Sequence, residues 1–209
     1  MPDFSHEINY PRPLVGVDEV GRGPLAGPVV AGAVIIPDNV RGKPEIGMIR
    51  SSKELTKKKR EIIHDFLVKT CPFAIGMASV QEIDAMNILQ ATMLAMRRAI
   101  QNLANLNHAP AHILVDGNKC PQSAYPESFL VRGDSKNITI AAASVIAKVV
   151  RDSIMDDLSE SYPHYAWQKN AGYGTKQHLD AIHTYGITPH HRKSFAPIRN
   201  FINIDNGIT

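Results

Sequence analysis

Residues 16–28 read Gly-Val-Asp-Glu-Val-Gly-Arg-Gly-Pro-Leu-Ala-Gly-Pro, and the rest of the chain is best interpreted outward from this stretch. Asp18 and Glu19 end a short apolar run, and Gly21-Arg22-Gly23 follows directly. Carboxylates at a strand end can hold a cation, and glycine amides without side chains let sugar and phosphate approach closely. A plain polar turn is the alternative, because Gly, Pro and Asp all favour turns. The density of these residues favours a metal ion beside a phosphodiester.

Length and composition describe one soluble globular protein. The 209 residues suffice for one substantial core with a small appendage, and the net charge of +3 argues against a protein that coats nucleic acid. Two cysteines, Cys71 and Cys120, are expected to be unpaired thiols. We expect no signal peptide, and the longest apolar stretch, 29–36, is too short to span a bilayer. These features predict a cytoplasmic protein, likewise expected to be a monomer, with no membrane association.

Hydrophobic periodicity indicates strands that alternate with helices after a β-rich start. Strands are predicted at 14–17, 29–36, 73–80, 112–115 and 128–131, and helices at 56–69, 87–103, 139–158 and 175–183. This order predicts an α/β fold with a mixed five-stranded sheet flanked by helices. Residues 1–160 would form the core, and residues 161–209 a small C-terminal appendage of helix and loop that contributes to substrate binding.

Acidic residues follow three of the predicted strands. Asp18 and Glu19 end the first strand, Asp116 the fourth and Asp134 the fifth. Neighbouring strand ends converge on one edge of an open α/β sheet, where ligands bind. Four carboxylates gathered there would repel one another unless a cation neutralised them, and an oxygen-only set suits Mg²⁺ or Mn²⁺ better than zinc. Taken singly, each acid is more often a turn or cap residue, but this alternative is much weaker for all four together.

Aromatic and imidazole side chains near the C-terminus give weaker signals. Tyr173 lies between two glycines and could present its ring to a sugar or base, or could simply pack a turn. His178 and His183 are five residues apart, which places them on different helix faces, and His190-His191 follow a proline. No zinc spacing emerges, so these histidines are interpreted as surface or phosphate-facing residues.

Several blocks along the chain together resemble the type 2 ribonucleases H, in particular bacterial ribonuclease HII. They run in order over nearly the whole chain, at residues 16–27, 52–56, 115–118, 133–136, 143–152, 172–175 and 191–195. The first block carries most of the specificity. The resemblance implies an RNase H-like fold and hydrolysis of the RNA strand in RNA–DNA hybrids. It also implies incision 5′ to single ribonucleotides embedded in duplex DNA, by metal-assisted in-line attack of water, leaving 5′-phosphate and 3′-hydroxyl ends.

The same resemblance implies roles for individual residues. Asp18, Glu19, Asp116 and Asp134 would bind Mn²⁺ or Mg²⁺ and form the catalytic set. Gly21, Arg22 and Gly23 would sense the ribose 2′-hydroxyl, which distinguishes RNA from DNA at one nucleotide. Tyr173 would stack on the following deoxyribose. Phosphate contacts are expected from Lys53, Lys136, Arg192 and Lys193. Lys148 could also contact a phosphate, but a surface ion pair with Asp152, four residues along one helix, is favoured for it.

One position departs from the family pattern. The family usually has Asp-Ser-Lys where this chain has Ser51-Ser52-Lys53, which affects the hydrogen bonds that position Lys53. Two other functions stay open at this point. Another RNase H-like nuclease, such as a junction resolvase, would share the acids, and a non-catalytic hybrid-binding protein would show salt-dependent binding without turnover.

Overall fold

The computed structural model describes the backbone of residues 1–205 and the side chains of residues 1–203. Five strands form one mixed sheet in the order β3-β2-β1-β4-β5. Their bounds are β1 Leu14–Val20, β2 Val29–Val34, β3 Phe73–Ala78, β4 His112–Asp116 and β5 Glu127–Leu130. β2 pairs antiparallel with both β1 and β3, whereas β1 with β4 and β4 with β5 are parallel. The predicted α/β class and five-stranded mixed sheet are confirmed.

Seven α-helices accompany the sheet within the described residues. They are α1 Lys57–Thr70, α2 Val80–Met86, α3 Ile88–Asn105, α4 Ile138–Ser161, α5 Trp167–Asn170, α6 Lys176–Tyr185 and α7 Ala196–Asp205. α3 packs on one face of the sheet against side chains such as Val15 and Val17. α1 and α4 pack on the other face, where Ile140 of α4 contacts Leu14 and Leu114. Helices thus cover both faces and leave the strand ends free to form a site.

Three helices of the structure, α2, α5 and α7, are not among the helices predicted from the sequence. The third strand was expected to reach Val80, but the strand ends at Ala78 and Val80 begins α2. Ser79 and Glu82 form a reciprocal capping box at the start of α2, in which each side chain accepts a hydrogen bond from the backbone N–H of the other residue. These bonds satisfy backbone donors at the first turn of the helix. The predicted appendage contained one helix, whereas the structure has α5, α6 and α7.

The C-terminal helices share a hydrophobic cluster with the rest of the chain. Trp167 and Ile182 pack with Leu25, Ala26 and Met155, all of them buried. The division at residues 160 and 161 therefore stays a prediction, and residues 206–209 of the predicted appendage lie outside the described residues. Cys71 and Cys120 are both unpaired, as expected. In the part of the chain that the structure describes, no helix is both long and apolar enough to cross a bilayer.

Candidate active site

Three carboxylates meet at the ends of β1 and β4. The two strands are parallel neighbours with Val17 opposite Val115, so the residues that follow, Asp18 and Asp116, lie side by side. Asp18, Glu19 and Asp116 each offer a carboxylate oxygen, and these oxygens all lie within 4.8 Å of one another. Sheet register thus gathers three of the four predicted acids at one edge.

Burial and mutual repulsion make these carboxylates costly to ionise. The pKa of Asp18 is raised well above its usual value, first by burial and then by the charges of Glu19, Asp116 and Asp134. Burial likewise raises the pKa of Glu19, although the nearby Arg22 guanidinium opposes this, and burial together with Asp134 raises the pKa of Asp116. A divalent cation would remove this repulsion, and the oxygen-only donor set fits Mg²⁺ or Mn²⁺.

Asp134 lies beside the three-carboxylate cluster but is held by other contacts. It belongs to a short 3₁₀ helix, Gly133–Ser135, whose Gly133 N–H donates to Asp116 Oδ1 at 2.6 Å. The carboxylate is buried, and its Oδ2 accepts a hydrogen bond from Ser51 Oγ at 2.6 Å. Lys53 Nζ lies 4.0 Å from the same oxygen. Asp134 is therefore adjacent to the cluster and oriented by the segment 51–53.

The Ser51 contact gives a structural meaning to the departure from the family pattern. The sequence suggested that Ser51 would affect the positioning of Lys53. In the structure its hydroxyl instead donates directly to a predicted metal ligand, Asp134. An aspartate side chain, when ionised, could not donate that hydrogen bond and would add a further negative charge. Serine at this position therefore gives the Asp134 carboxylate a hydrogen-bond donor that an ionised aspartate would not supply.

The glycine turn and Tyr173 border the same cleft as Glu19. Gly21–Gly23, Glu19, Ser52, Lys53, Lys148 and Tyr173 line this cleft. A Cβ added to Gly23 would lie 3.3 Å from Tyr173 Cε1, so the ring faces the bare turn closely. Tyr173 is 50% exposed, which disfavours the alternative that it only packs a turn.

Gly21 requires glycine for two further reasons. Its φ of +98° lies in the region that side chains disfavour, and an added Cβ would collide with the Arg151 side chain. Gly23 has no such backbone constraint and meets only the Tyr173 ring. Substitution at Gly23 therefore probes the cleft, whereas substitution at Gly21 also disturbs the fold.

The basic residues divide into exposed and buried groups. Lys53, Lys136 and Lys193 are exposed, although Lys136 Nζ also donates to the Val131 carbonyl at 2.8 Å. Lys148 lines the cleft and pairs with Asp152 at 2.6 Å, which confirms the expected ion pair. Of these lysines, Lys53 and Lys148 line the cleft.

Arg192 does not have the exposed position that a contact with a substrate phosphate requires. The side chain is fully buried, and its guanidinium donates to the backbone carbonyls of Gly21, Arg22 and Gly27. The Phe195 ring lies 5.1 Å from its Cζ. Burial lowers the pKa of Arg192 to about 9, so the side chain is still charged at neutral pH. The predicted phosphate contact is wrong for this residue, because its donors are used within the protein.

The predicted surface or phosphate-facing position is also wrong for two histidines. His178 and His191 are fully buried instead of facing solvent or phosphate. His178 Nε2 accepts from Trp167 Nε1 at 3.0 Å and lies 3.1 Å from His191 Nε2, while its Nδ1 lies 2.9 Å from the Tyr173 carbonyl. Burial lowers the pKa of both rings, to about 4 for His191. These neutral rings support the segment that carries Tyr173.

The comparisons with known proteins agree with this geometry. The sequence matches the ribonuclease HII family over residues 15–198. Ribonuclease HII of Wolbachia pipientis subsp. Culex pipiens (strain wPip) is 52% identical over 198 residues, which cover 95% of this chain and 98% of the relative. The solved ribonuclease H2 from Pyrococcus horikoshii OT3 is 26% identical with a TM-score of 0.74, covering 92% of this chain and 98% of that one.

A third similar protein bears on the fold. Bst-RNase HIII, solved in complex with Mn²⁺, has a TM-score of 0.71 at 21% identity and covers 91% of this chain and 69% of its own. At that identity the likeness shows the fold alone. The match over most of the sequence, the shared fold and the clustered carboxylates lead to one conclusion: the chain belongs to the ribonuclease HII family and is a metal-dependent endoribonuclease.

Proposed function

We propose that this endoribonuclease incises duplex DNA on the 5′ side of a single embedded ribonucleotide, leaving a 5′-phosphate and a 3′-hydroxyl. As a member of the ribonuclease HII family, the protein cleaves the RNA strand of RNA–DNA hybrids. The observation that carries the finer proposal is the shared cleft. Glu19, a member of the carboxylate cluster, lines this cleft together with the bare turn 21–23, which faces the Tyr173 ring.

The carboxylates are the groups that would hold a divalent cation. Asp18, Glu19 and Asp116 would contribute directly, and Asp134 lies next to them with one oxygen bonded to Ser51. We take the ion to be Mg²⁺ or Mn²⁺, because all the donors in this cluster are carboxylate oxygens. When bound, the cation supplies positive charge for the negative charge that develops on the phosphodiester. Lys53, with a mostly exposed side chain, can contact a phosphate that enters the cleft.

The turn at residues 21–23 would recognise the ribose. Its amides can approach the sugar because the two glycines carry no side chains, and a 2′-hydroxyl oxygen can accept their hydrogen bonds. Tyr173, opposite Gly23, would stack on the sugar of the following nucleotide. A deoxyribose lacks the acceptor, so the same turn would reject uninterrupted DNA.

The chemistry of the bond explains the product ends. A ribonucleotide's 2′-hydroxyl is placed to attack its own 3′-phosphate, and it cannot reach in line the phosphate on its 5′ side. Incision on the 5′ side therefore uses an external water. The 3′-oxygen of the preceding deoxynucleotide leaves with the bonding electron pair and takes up a proton, and the phosphate stays on the ribonucleotide.

Three labelled duplexes test the proposal: one with a single embedded ribonucleotide, one full RNA–DNA hybrid and one all-DNA. With Mg²⁺ or Mn²⁺, we expect cleavage of the first two and no cleavage of the third. Asp116→Asn should abolish cleavage, whereas Asp180→Asn, at an exposed position on α6, should not. Cutting of all-DNA duplex or of a four-way junction, with the embedded ribonucleotide left intact, would instead indicate a different nuclease. Salt-dependent binding without any turnover would indicate a binding protein.

A further inference from the structure

Two buried arginines support the glycine turn without any carboxylate partner within 4.0 Å among the described residues. Arg192 and Arg151 are both fully buried. Arg192 donates to Gly21 O at 2.6 Å, to Arg22 O at 3.0 Å and to Gly27 O at 2.8 and 3.0 Å. A buried cation is costly unless strong acceptors surround it, so the loop's carbonyls must converge on this guanidinium.

The direction of a carbonyl determines the direction of the next amide. A trans peptide unit is planar, and its C=O and N–H groups point to opposite sides. Because the carbonyls of Gly21 and Arg22 point inward to Arg192, the N–H groups of Arg22 and Gly23 point the other way. Among the backbone of residues 1–205 and the side chains of residues 1–203, neither of these N–H groups has a hydrogen-bond acceptor. Both residues are exposed and line the cleft.

Arg151 makes similar bonds with a different consequence. It donates to the carbonyls of Ala26, Pro28 and Ala171. The amide that shares a peptide unit with the Ala26 carbonyl, Gly27 N–H, donates to His190 O at 2.9 Å. The amide next to the Ala171 carbonyl donates to Asn170 Oδ1 at 2.9 Å, and the one next to Pro28 belongs to strand β2. Arg151 therefore holds the base of the loop, where the amides of Gly27 and Gly172 already have acceptors.

We propose that Arg192 is a positioning residue for ribonucleotide recognition, which turns the amides of Arg22 and Gly23 toward the 2′-hydroxyl. The inference rests on the proposed function and adds a specificity role for a residue that does not touch the substrate. The planar guanidinium fork reaches three carbonyls at once. A lysine ammonium, as a compact charge on a flexible stem, does not reproduce that geometry.

The test compares Arg192→Lys with Arg151→Lys, a matched change in a second buried guanidinium. Binding would be measured in EDTA by fluorescence anisotropy, on a duplex with one ribonucleotide and on its all-DNA counterpart. Cleavage of the first duplex would be measured with Mn²⁺. We expect Arg192→Lys to lower the ribonucleotide preference by roughly tenfold per misaligned hydrogen bond, with little change in binding of all-DNA. Arg151→Lys should lower the melting temperature but retain the preference.

Equal losses of preference in the two variants would overturn the inference, and so would an unchanged preference in Arg192→Lys. If neither variant folds, the wild-type amide resonances of Arg22 and Gly23 provide the test. They should shift on titration with the ribonucleotide duplex but not with the all-DNA duplex, and the absence of that difference would refute the role. A wild-type protein that shows no ribonucleotide preference would instead refute the proposed function, so the two failures are distinguishable.

Discussion

Replacing Asp18 by asparagine should make the metal-free protein more stable while abolishing its activity. Asp18 is 5% exposed, and burial, together with three neighbouring carboxylates, raises its pKa well above the usual value. A carboxyl whose pKa is raised on folding favours the folded state at low pH. This contribution is lost as the pH rises through the folded-state pKa. At pH 8 the wild type therefore bears the cost of a buried charge that asparagine avoids.

The size of the effect follows from the pKa shift. Each unit by which folding raises the pKa corresponds to about 1.4 kcal/mol. In a chain of this size, about 1 kcal/mol changes the melting temperature by roughly 2–4 °C. Asp18→Asn should thus melt about 3–5 °C higher for each unit of the shift, in EDTA at pH 8. Near pH 4 the gain should shrink, because the wild-type carboxyl is then protonated in the folded state.

Melting curves by calorimetry at pH 4 and pH 8, with EDTA or with Mn²⁺, provide the assay. Mn²⁺ should raise the melting temperature of the wild type more than that of Asp18→Asn, because the variant lacks one carboxylate ligand. Asp65→Asn is the control, since that side chain is 70% exposed on α1 and should change little. A lower melting temperature for Asp18→Asn at pH 8, or a gain that is equal at both pH values, would refute the reasoning.

Three further substitutions test other parts of the site. Ser51→Ala removes the donor to Asp134 and should raise the half-saturating Mn²⁺ concentration about tenfold, measured by titration calorimetry. The control is Ser159→Ala, which removes another buried hydroxyl, one that donates to Gln168 at 2.5 Å. Equal Mn²⁺ affinities of the two variants would contradict the role of Ser51. Tyr173→Ala should lower cleavage at single ribonucleotides at least tenfold, on the scale of the about 1–3 kcal/mol that base–aromatic stacking contributes. Its melting temperature should stay within about 2 °C of the wild type, because the ring is half exposed. A large loss of thermal stability would favour a packing role. Gly23→Val places a branched side chain against the Tyr173 ring and should abolish single-ribonucleotide incision while the circular dichroism spectrum is unchanged; normal kinetics would exclude the sensor role.

The fold and the acidic cluster were predictable because they depend on local patterns. Apolar runs ending in acids located the strands, and the parallel pairing of β1 with β4 brings Asp18 beside Asp116 by register alone. The capping box of Ser79 and Glu82 was also present in the sequence. It was missed because the strand was extended to Val80, through the capping residue itself.

The buried polar residues could not be predicted in the same way. An arginine between histidines and a lysine reads as a surface residue, and Arg192 is buried only because carbonyls from residues 21–27, far away in sequence, converge on it. His178 and His191 depend likewise on Trp167, which lies on another helix. Long-range acceptors decide these positions, and a single sequence carries no periodic signal for them.

The most direct test of the central claim is to map the incision site at single-nucleotide resolution while the ribonucleotide is moved. Two duplexes of identical sequence, with the single ribonucleotide at adjacent positions, would be cut in Mn²⁺ and the ends analysed. If the carboxylates cut where the turn at residues 21–23 recognises the 2′-hydroxyl, the incision moves by one nucleotide with the ribonucleotide. It stays on the 5′ side and leaves a 5′-phosphate. An incision that stays in place, or that falls on the 3′ side, would contradict the account.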